Sequence, residues 1–238
     1  MMFDFTGRVA LVTGASGALG GTLARRLLAA GAQVATVDRR EERLATAFAD
    51  VAAGDRLSFH AADLADAEAV EAMVAGALTR LGRIDHLFNV AGTFATDGPV
   101  EATTAETWQK LLDANFRSTL HVCRAVVPAM KRAGSGTIVN VGSRAALAGD
   151  ANVAAYSVAK SAVLRLTEAL AAEGKRHGVR VNCVLPGSLD TAGNRAAMPE
   201  ADFTTWVEPE ALIDAMLFLS SPAARAIHGA ALTVFGLG

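Results

Sequence analysis

Short runs of Val, Ile and Leu recur along the chain and alternate with longer, Ala-rich stretches of helical period. The runs are Val9–Val12, Val34–Val37, Leu57–Phe59, Ile84–Asn89, Thr137–Val141, Val179–Leu185 and Leu232–Val234. Between them lie Leu19–Ala30, Glu41–Ala52, Ala67–Arg80, Ala105–Lys131, Val153–Arg176 and Pro209–Leu219. A strand that is apolar without alternation is buried on both faces, and strands separated by helices join as parallel βαβ units. The pattern therefore predicts an α/β chain with one doubly wound parallel sheet and helices on both faces. Gly31, Gly54, Gly82, Gly134 with Gly136, and Gly178 fall at the ends of the helical stretches, where a left-handed cap is useful. No Pro/Ser-rich linker or tandem repeat interrupts 238 residues, so residues 1–238 read as one domain. Pro128 should kink the long fourth helix or mark its last turns, and the weakly periodic segment 192–207 reads as a lid or substrate loop.

The formal net charge of -2, with both signs interspersed, provides no field to gather nucleic acid or anionic membrane, which leaves a small molecule as the expected partner. The arginines Arg39, Arg40 and Arg43 are mixed with Glu41 and Glu42 and read as a solvated helix face. The opening "MMFDFTGRVALVTG" has an apolar run too short for a signal-peptide core or a membrane span, so a cytoplasmic protein is expected. Cys123 and Cys183 stand apart without C-x-x-C spacing and read as buried thiols, and the five histidines show no metal-ligand spacing. No metal is expected.

The first strand runs directly into "TGASGALG", Thr13–Gly20, and then into a helix. Glycines in such a turn let the backbone approach a pyrophosphate, which the helix N-terminus stabilises. The second strand ends at Asp38, eighteen residues past Gly20. A carboxylate there can accept both hydrogen bonds of an adenosine ribose diol and repels a 2'-phosphate, which favours NAD over NADP. Arg39, next in the chain, could instead pair with that phosphate and leaves NADP as the alternative.

The only tyrosine, Tyr156, is followed four residues later by Lys160, one of four lysines. On a helix the two share a face. An unperturbed phenol titrates near 10, and a neighbouring ammonium is expected to lower that value and make the phenol usable as an acid/base near neutrality.

"TGASGALG", "NVAG" (Asn89–Gly92), Asn115, Ser143, "YSVAK" (Tyr156–Lys160) and "NCVLPGSLDT" (Asn182–Thr191) stand in one order over nearly the whole chain. Together they resemble the short-chain dehydrogenase/reductase family, which implies a Rossmann fold and an oxidoreductase. The resemblance implies that Tyr156 exchanges a proton with the substrate oxygen and that Ser143 hydrogen-bonds it. It further implies that Lys160 holds the nicotinamide ribose and that Asn115 holds a water near the lysine. Cofactor contacts are implied at Gly14, Ser16, Gly17, Leu19, Gly20, Asp38 and Arg39, at Asp63 and Leu64, and at Asn89, Ala91 and Gly92. They are also implied at Tyr156 and Lys160, and at Pro186, Gly187, Leu189 and Thr191. Thr93, Phe94, Leu147, Asn152, Met198, Phe203 and Trp206 are expected to wall the substrate pocket. A homotetramer or dimer is implied, formed by the long fourth and fifth helices and the C-terminal strand.

The chain departs from the family pattern in places. Ala18 replaces a glycine while Gly17 supplies one, giving G-x-x-G-x-x-G spacing; Val90 replaces an asparagine; and "VFGLG", Val234–Gly238, replaces a terminal D-G-G. The segment "LDTAGNRAAMPEADFTTW" resembles the corresponding stretch of the dihydropteridine reductases, which share the "GALG" turn. Three readings follow: an NAD(H)-dependent enzyme interconverting a secondary alcohol and a ketone, a pterin reductase, and a catalytically silent dinucleotide sensor.

Overall fold

The structure is a computed structural model and describes residues 3–237. Met1, Met2 and Gly238, the last residue of the terminal "VFGLG", lie outside the described residues. Among the described residues seven strands form one parallel sheet: β1 (Val9–Thr13), β2 (Gln33–Asp38), β3 (Leu57–Ala61), β4 (His86–Asn89), β5 (Gly136–Val141), β6 (Val179–Pro186) and β7 (Ala231–Val234). Their order is β3-β2-β1-β4-β5-β6-β7. Successive crossovers run outward from β1 to β3 and then return to β1's other side at β4, so a crevice opens between β1 and β4 at their carboxyl ends.

The described residues also hold eight α-helices that connect the strands: α1 (Ala18–Ala29), α2 (Glu41–Ala47), α3 (Ala67–Leu81), α4 (Ala105–Leu112), α5 (Ser118–Ala133), α6 (Ala154–Gly174), α7 (Ala192–Ala197) and α8 (Pro209–Ser220). The sheet's two faces explain the unbroken apolar runs. Ala10, Val12, Phe88 and Val139 pack toward α1 and α8, whereas Leu11, Leu87 and Ile138 pack toward α3 and α5. At the amino ends of the strands the carboxylate of the buried Asp85 accepts the Val9 amide at 2.9 Å and pairs with Arg8 and Arg83. Ile84 and Asp85 therefore serve as a buried lead-in, and β4 begins at His86.

Three expectations need correction. The stretch Ala105–Lys131 is not one helix: a π turn at Asp113–Arg117 separates α4 from α5. Side chains intrude into the backbone ladder there, with Asn115 Nδ2 donating to the Leu111 carbonyl at 3.0 Å and Thr119 Oγ1 to the Asn115 carbonyl at 3.0 Å. Helix α2 stops at Ala47 and not Ala52, because Phe48 turns into the core and Arg25 takes the Ala47 carbonyl at 2.7 Å. Gly136 is no left-handed cap; it opens β5 where an added Cβ would fall 2.5 Å from Met130 Sδ. Pro128 is exposed within α5, and the helix continues five residues beyond it to Ala133. Segment 192–207 holds the short α7 and a 3-10 turn at Phe203–Thr205, and nothing from residue 191 to 206 is buried.

Candidate active site

The first strand delivers its turn to the crevice. Thr13 Oγ1 accepts the amides of Val90 at 3.0 Å and Ala91 at 3.1 Å and so ties the end of β1 to the loop after β4. Gly14 follows with φ 65°, and an added Cβ there would lie 2.9 Å from Ala91 Cα. Helix α1 then starts from Gly17, with no side-chain cap and no acid in its first turn. A Cβ on Gly17 would touch only the Gly14 carbonyl, at 3.3 Å, so the mouth of the turn is otherwise open. An uncapped helix N-terminus behind an open glycine turn fits a pyrophosphate.

Asp38 closes β2 beside this turn and is 9% exposed. Its carboxylate accepts from Ser16 Oγ and from the Arg39 amide at 2.8 Å, and Arg43 approaches to 3.4 Å. Arg43 stays on the solvated face expected of the arginine cluster while it pairs with Asp38, and Arg39 and Arg40 are exposed as well. Asp63 is exposed after β3 and accepts the Ala65 amide at 3.1 Å, while the neighbouring Asp66 caps α3. Leu64 packs on the core.

Asn89 is turned inward: its Nδ2 donates to Asn140 Oδ1 at 2.9 Å and faces Cys123 Sγ at 3.3 Å, and Asn140 in turn donates to Thr167 at 2.9 Å. This buried relay links β4, β5 and α6. Cys123 and Cys183 are both free and buried. Among the described residues no group of His, Cys, Asp or Glu is placed to hold a metal.

The four candidate catalytic side chains come from the π turn between α4 and α5, the chain just after β5, and α6. Ser143 follows β5 and caps a 3-10 turn through the Ala145 amide at 3.2 Å. Tyr156 and Lys160 share one face of α6, with Lys160 Nζ 5.9 Å from the tyrosine ring centre. Nζ donates to the Val141 carbonyl at 3.0 Å. Asn115 is fully buried, and its amide clamps Thr93 by accepting the Thr93 amide at 3.2 Å and donating to the Thr93 carbonyl at 3.0 Å. Gly92 is wedged between the two: a Cβ there would meet Asn115 Oδ1 at 2.8 Å and Lys160 Nζ at 3.3 Å.

Burial governs the titration of this pair. It pushes the Lys160 ammonium down to about 8, and it pushes the Tyr156 phenol up, an effect that the Ser143 hydroxyl partly offsets. To the pull expected from the lysine the structure thus adds an opposing effect of burial that spacing does not reveal. In this pocket desolvation is the largest influence on the phenol.

After β6, the Gly187 amide donates to the Val234 carbonyl at 3.0 Å and Leu189 bridges to Val207, while Thr191 caps α7 through Asn194. Pro186 ends β6. Phe94 lies edge-on to Tyr156 with ring centres 5.0 Å apart, and both Phe94 and Leu147 are more than half exposed. In segment 192–207 Phe203 packs on Trp206 at 4.9 Å, and Arg195 lies over Phe203 while pairing with Asp190.

One residue that sequence reasoning missed is Asp97, whose carboxylate accepts the Ala154 and Ala155 amides. Its partners are 57 and 58 positions away and no motif connects them.

A family model described as short chain dehydrogenase matches residues 8–202. The chain belongs to the short-chain dehydrogenase family. As such it is an oxidoreductase. A D-threitol dehydrogenase from Mycolicibacterium smegmatis is 36% identical over 247 residues, covering 98% of this chain and 94% of the relative. A 2-(R)-hydroxypropyl-CoM dehydrogenase from Xanthobacter autotrophicus is 34% identical, covering 96% of this chain and 97% of the relative. The crystal structure of a gluconate 5-dehydrogenase from Burkholderia cenocepacia, in complex with NADP and tartrate, superposes with a TM-score of 0.90 at 33% identity, covering 98% of this chain and 96% of that one. Dehydrogenases of this family thus share the whole of the present fold.

Proposed function

We propose that this short-chain dehydrogenase interconverts a secondary alcohol and a ketone with NAD(H). The observation that carries the reading is the convergence of Ser143, Tyr156, Lys160 and Asn115 at the carboxyl end of the sheet, beside the glycine turn. The bound dinucleotide would supply or accept a hydride at the substrate carbon. Tyr156 gives the substrate oxygen a proton in reduction and removes it in oxidation. The Ser143 hydroxyl holds that oxygen beside the phenol. Lys160 contributes a positive charge and three donors beneath the phenol, and Asn115 fixes the Thr93 loop over both.

The dinucleotide would be held by Gly14, Ser16, Gly17, Leu19 and Gly20 at the phosphates and by Asp38 at the adenosine ribose. Asp63 and Leu64 would lie at the adenine. Asn89, Ala91 and Gly92, with Pro186, Gly187, Leu189 and Thr191, would lie at the nicotinamide half. Asn89 would contribute there through its backbone, because its Nδ2 is turned inward to Asn140 and Cys123. Phe94 and Leu147 give the mouth an apolar side, which favours a substrate with a hydrocarbon body.

The carboxylate of Asp38 supports NAD, although the Burkholderia relative carries NADP. Replacing Asp38 with Ala is expected to raise the KM for NADH about tenfold and lower that for NADPH, the size of one charge contact near a partly exposed surface. Steady-state kinetics with both cofactors check this. Unchanged selectivity would transfer the discrimination to Arg39.

The function itself is tested by following NADH and NADPH oxidation with small diketones, sugars, a steroid ketone, a β-ketoacyl thioester and quinonoid dihydropterin. Ketone turnover with NADH supports the proposal, and turnover of the pterin alone would replace it with a pterin reductase. Binding of the dinucleotide with no turnover of any member would favour a sensor. No helix among the described residues is long and apolar enough to cross a membrane. We read the enzyme as cytoplasmic, and as a homodimer or homotetramer assembled through α4 and α5, α6 and the C-terminal strand β7; light scattering measures the assembly.

A further inference from the structure

Helix α6 carries both Tyr156 and Lys160, yet its own sequence does not cap it. Val153 stands at the N-cap position with no side-chain acceptor, and no acid occupies the first turn. The acceptor comes from the loop after β4. Asp97 Oδ1 accepts the Ala154 amide at 3.2 Å and Oδ2 accepts the Ala155 amide at 2.6 Å. The clasp is reciprocal, because the Asp97 amide donates to the Asn152 carbonyl at 2.8 Å. Asn152, with φ 62°, is the one non-glycine residue of positive φ among the described residues, so the chain enters α6 through a conformation that its surroundings must enforce.

The same loop grips the site at two further points. Thr93 is clamped by Asn115, and the Phe94 ring stands edge-on against Tyr156. Thr103 Oγ1 donates to the Asp97 carbonyl at 2.7 Å and closes the loop behind the carboxylate. Residues 93–97 are thus tied to Asn115 at one end, to the tyrosine ring in the middle and to the start of the catalytic helix at the other.

We infer that Asp97 is a positioning residue for the reaction: it caps α6 from outside the helix and thereby holds Tyr156 in register with Ser143 and Lys160. A carboxylate suits the place twice over, since it satisfies two free amides and complements the positive end of the helix dipole. Tyr156 lies one residue beyond the second amide, so loss of the cap loosens the turn that carries the phenol. The inference rests on the reading of Tyr156 as the acid/base.

The test uses the full-length protein and the variants Asp97→Ala, Asp97→Asn and Tyr156→Phe. Amide hydrogen exchange over residues 152–158 reads the cap without reference to activity; in Asp97→Ala the Ala154 and Ala155 amides are expected to exchange about tenfold faster. In the same variant kcat for the ketone is expected to fall about tenfold, while the NADH dissociation constant stays within about twofold. Asp97→Asn, which keeps one oxygen acceptor, should recover kcat to within about threefold of the parent, and it carries the test if the alanine variant does not fold. Unchanged exchange, unchanged kcat, or a parallel loss of NADH affinity and kcat would each overturn the inference. Full activity of Tyr156→Phe beside faster exchange in Asp97→Ala would overturn the acid/base reading alone. Unchanged kcat in Asp97→Ala beside an inactive Tyr156→Phe would overturn the positioning inference alone.

Discussion

Tyr156→Phe is expected to lower kcat about a thousandfold while leaving NADH affinity and thermal stability close to those of the parent. Phenylalanine fills the same buried slot on α6 and keeps the edge-on contact with Phe94, so the substitution removes the hydroxyl and little else. General acid/base catalysis contributes on the order of 10²–10⁴ in rate, and no other hydroxyl stands in the phenol's place. The pH profile adds a second signature. Burial pushes the phenol up, so the parent should hold its proton and reduce ketones steadily through neutrality; oxidation, which needs the phenolate, should accelerate as pH rises. Lys160, pushed down to about 8, loses its charge over the same alkaline range and should blunt that acceleration. Steady-state kinetics in both directions, with NADH binding followed by fluorescence, read both signatures. Retention of more than a tenth of the parent's kcat would remove the phenol from the mechanism.

The second large effect is structural. A Cβ on Gly20 would lie 2.5 Å from the carbonyl oxygen of Gly14 and 2.9 Å from its carbonyl carbon, both backbone atoms of the glycine turn. Relief requires α1 to move away from β1 or the turn to open. Overpacking of this kind costs about 1–3 kcal/mol, and a backbone obstacle places Gly20→Ala at about 3 kcal/mol, a melting temperature lower by roughly 10 °C. NADH affinity should weaken more than tenfold, because the displaced atoms are those that would face the pyrophosphate. Gly76→Ala is the control. Gly76 lies mid-helix in α3 with nothing within 4 Å of an added Cβ, so alanine should stabilise by about 0.5–1 kcal/mol and leave binding unchanged. Calorimetry and NADH titration of both variants decide the matter, and equal behaviour of the two would remove the packing argument.

Much of this arrangement was legible in the sequence because it depends on local signals. Strands buried on both faces advertise themselves as unbroken apolar runs, and the spacing of Tyr156 and Lys160 places them on one helical face. What stayed hidden depends on partners distant in the chain. The π turn at Asp113–Arg117 carries a helical pattern that runs straight through it; only the reach of Asn115 back to Leu111 and across to Thr93 opens the ladder. Phe48 ends α2 because a pocket beneath Arg25 awaits it, which periodicity does not report. The burial of Tyr156 stayed hidden for a related reason. A neighbouring charge can be read from spacing, but desolvation depends on how completely the fold encloses the ring.

Because every strand points the same way, the residues proposed for the adenine, ribose and phosphates lie along one edge of the sheet after β3, β2 and β1 in turn, and those proposed for the nicotinamide and substrate share the ends of β4, β5 and β6. Three inter-strand steps, roughly 14 Å at the usual spacing, separate the end of β2 at Asp38 from the end of β5, just before Ser143. Sites so far apart with no shared partner combine additively. The edge of the sheet thus works as a ruler, on which cofactor preference can be rewritten at one mark without disturbing the chemistry performed at another.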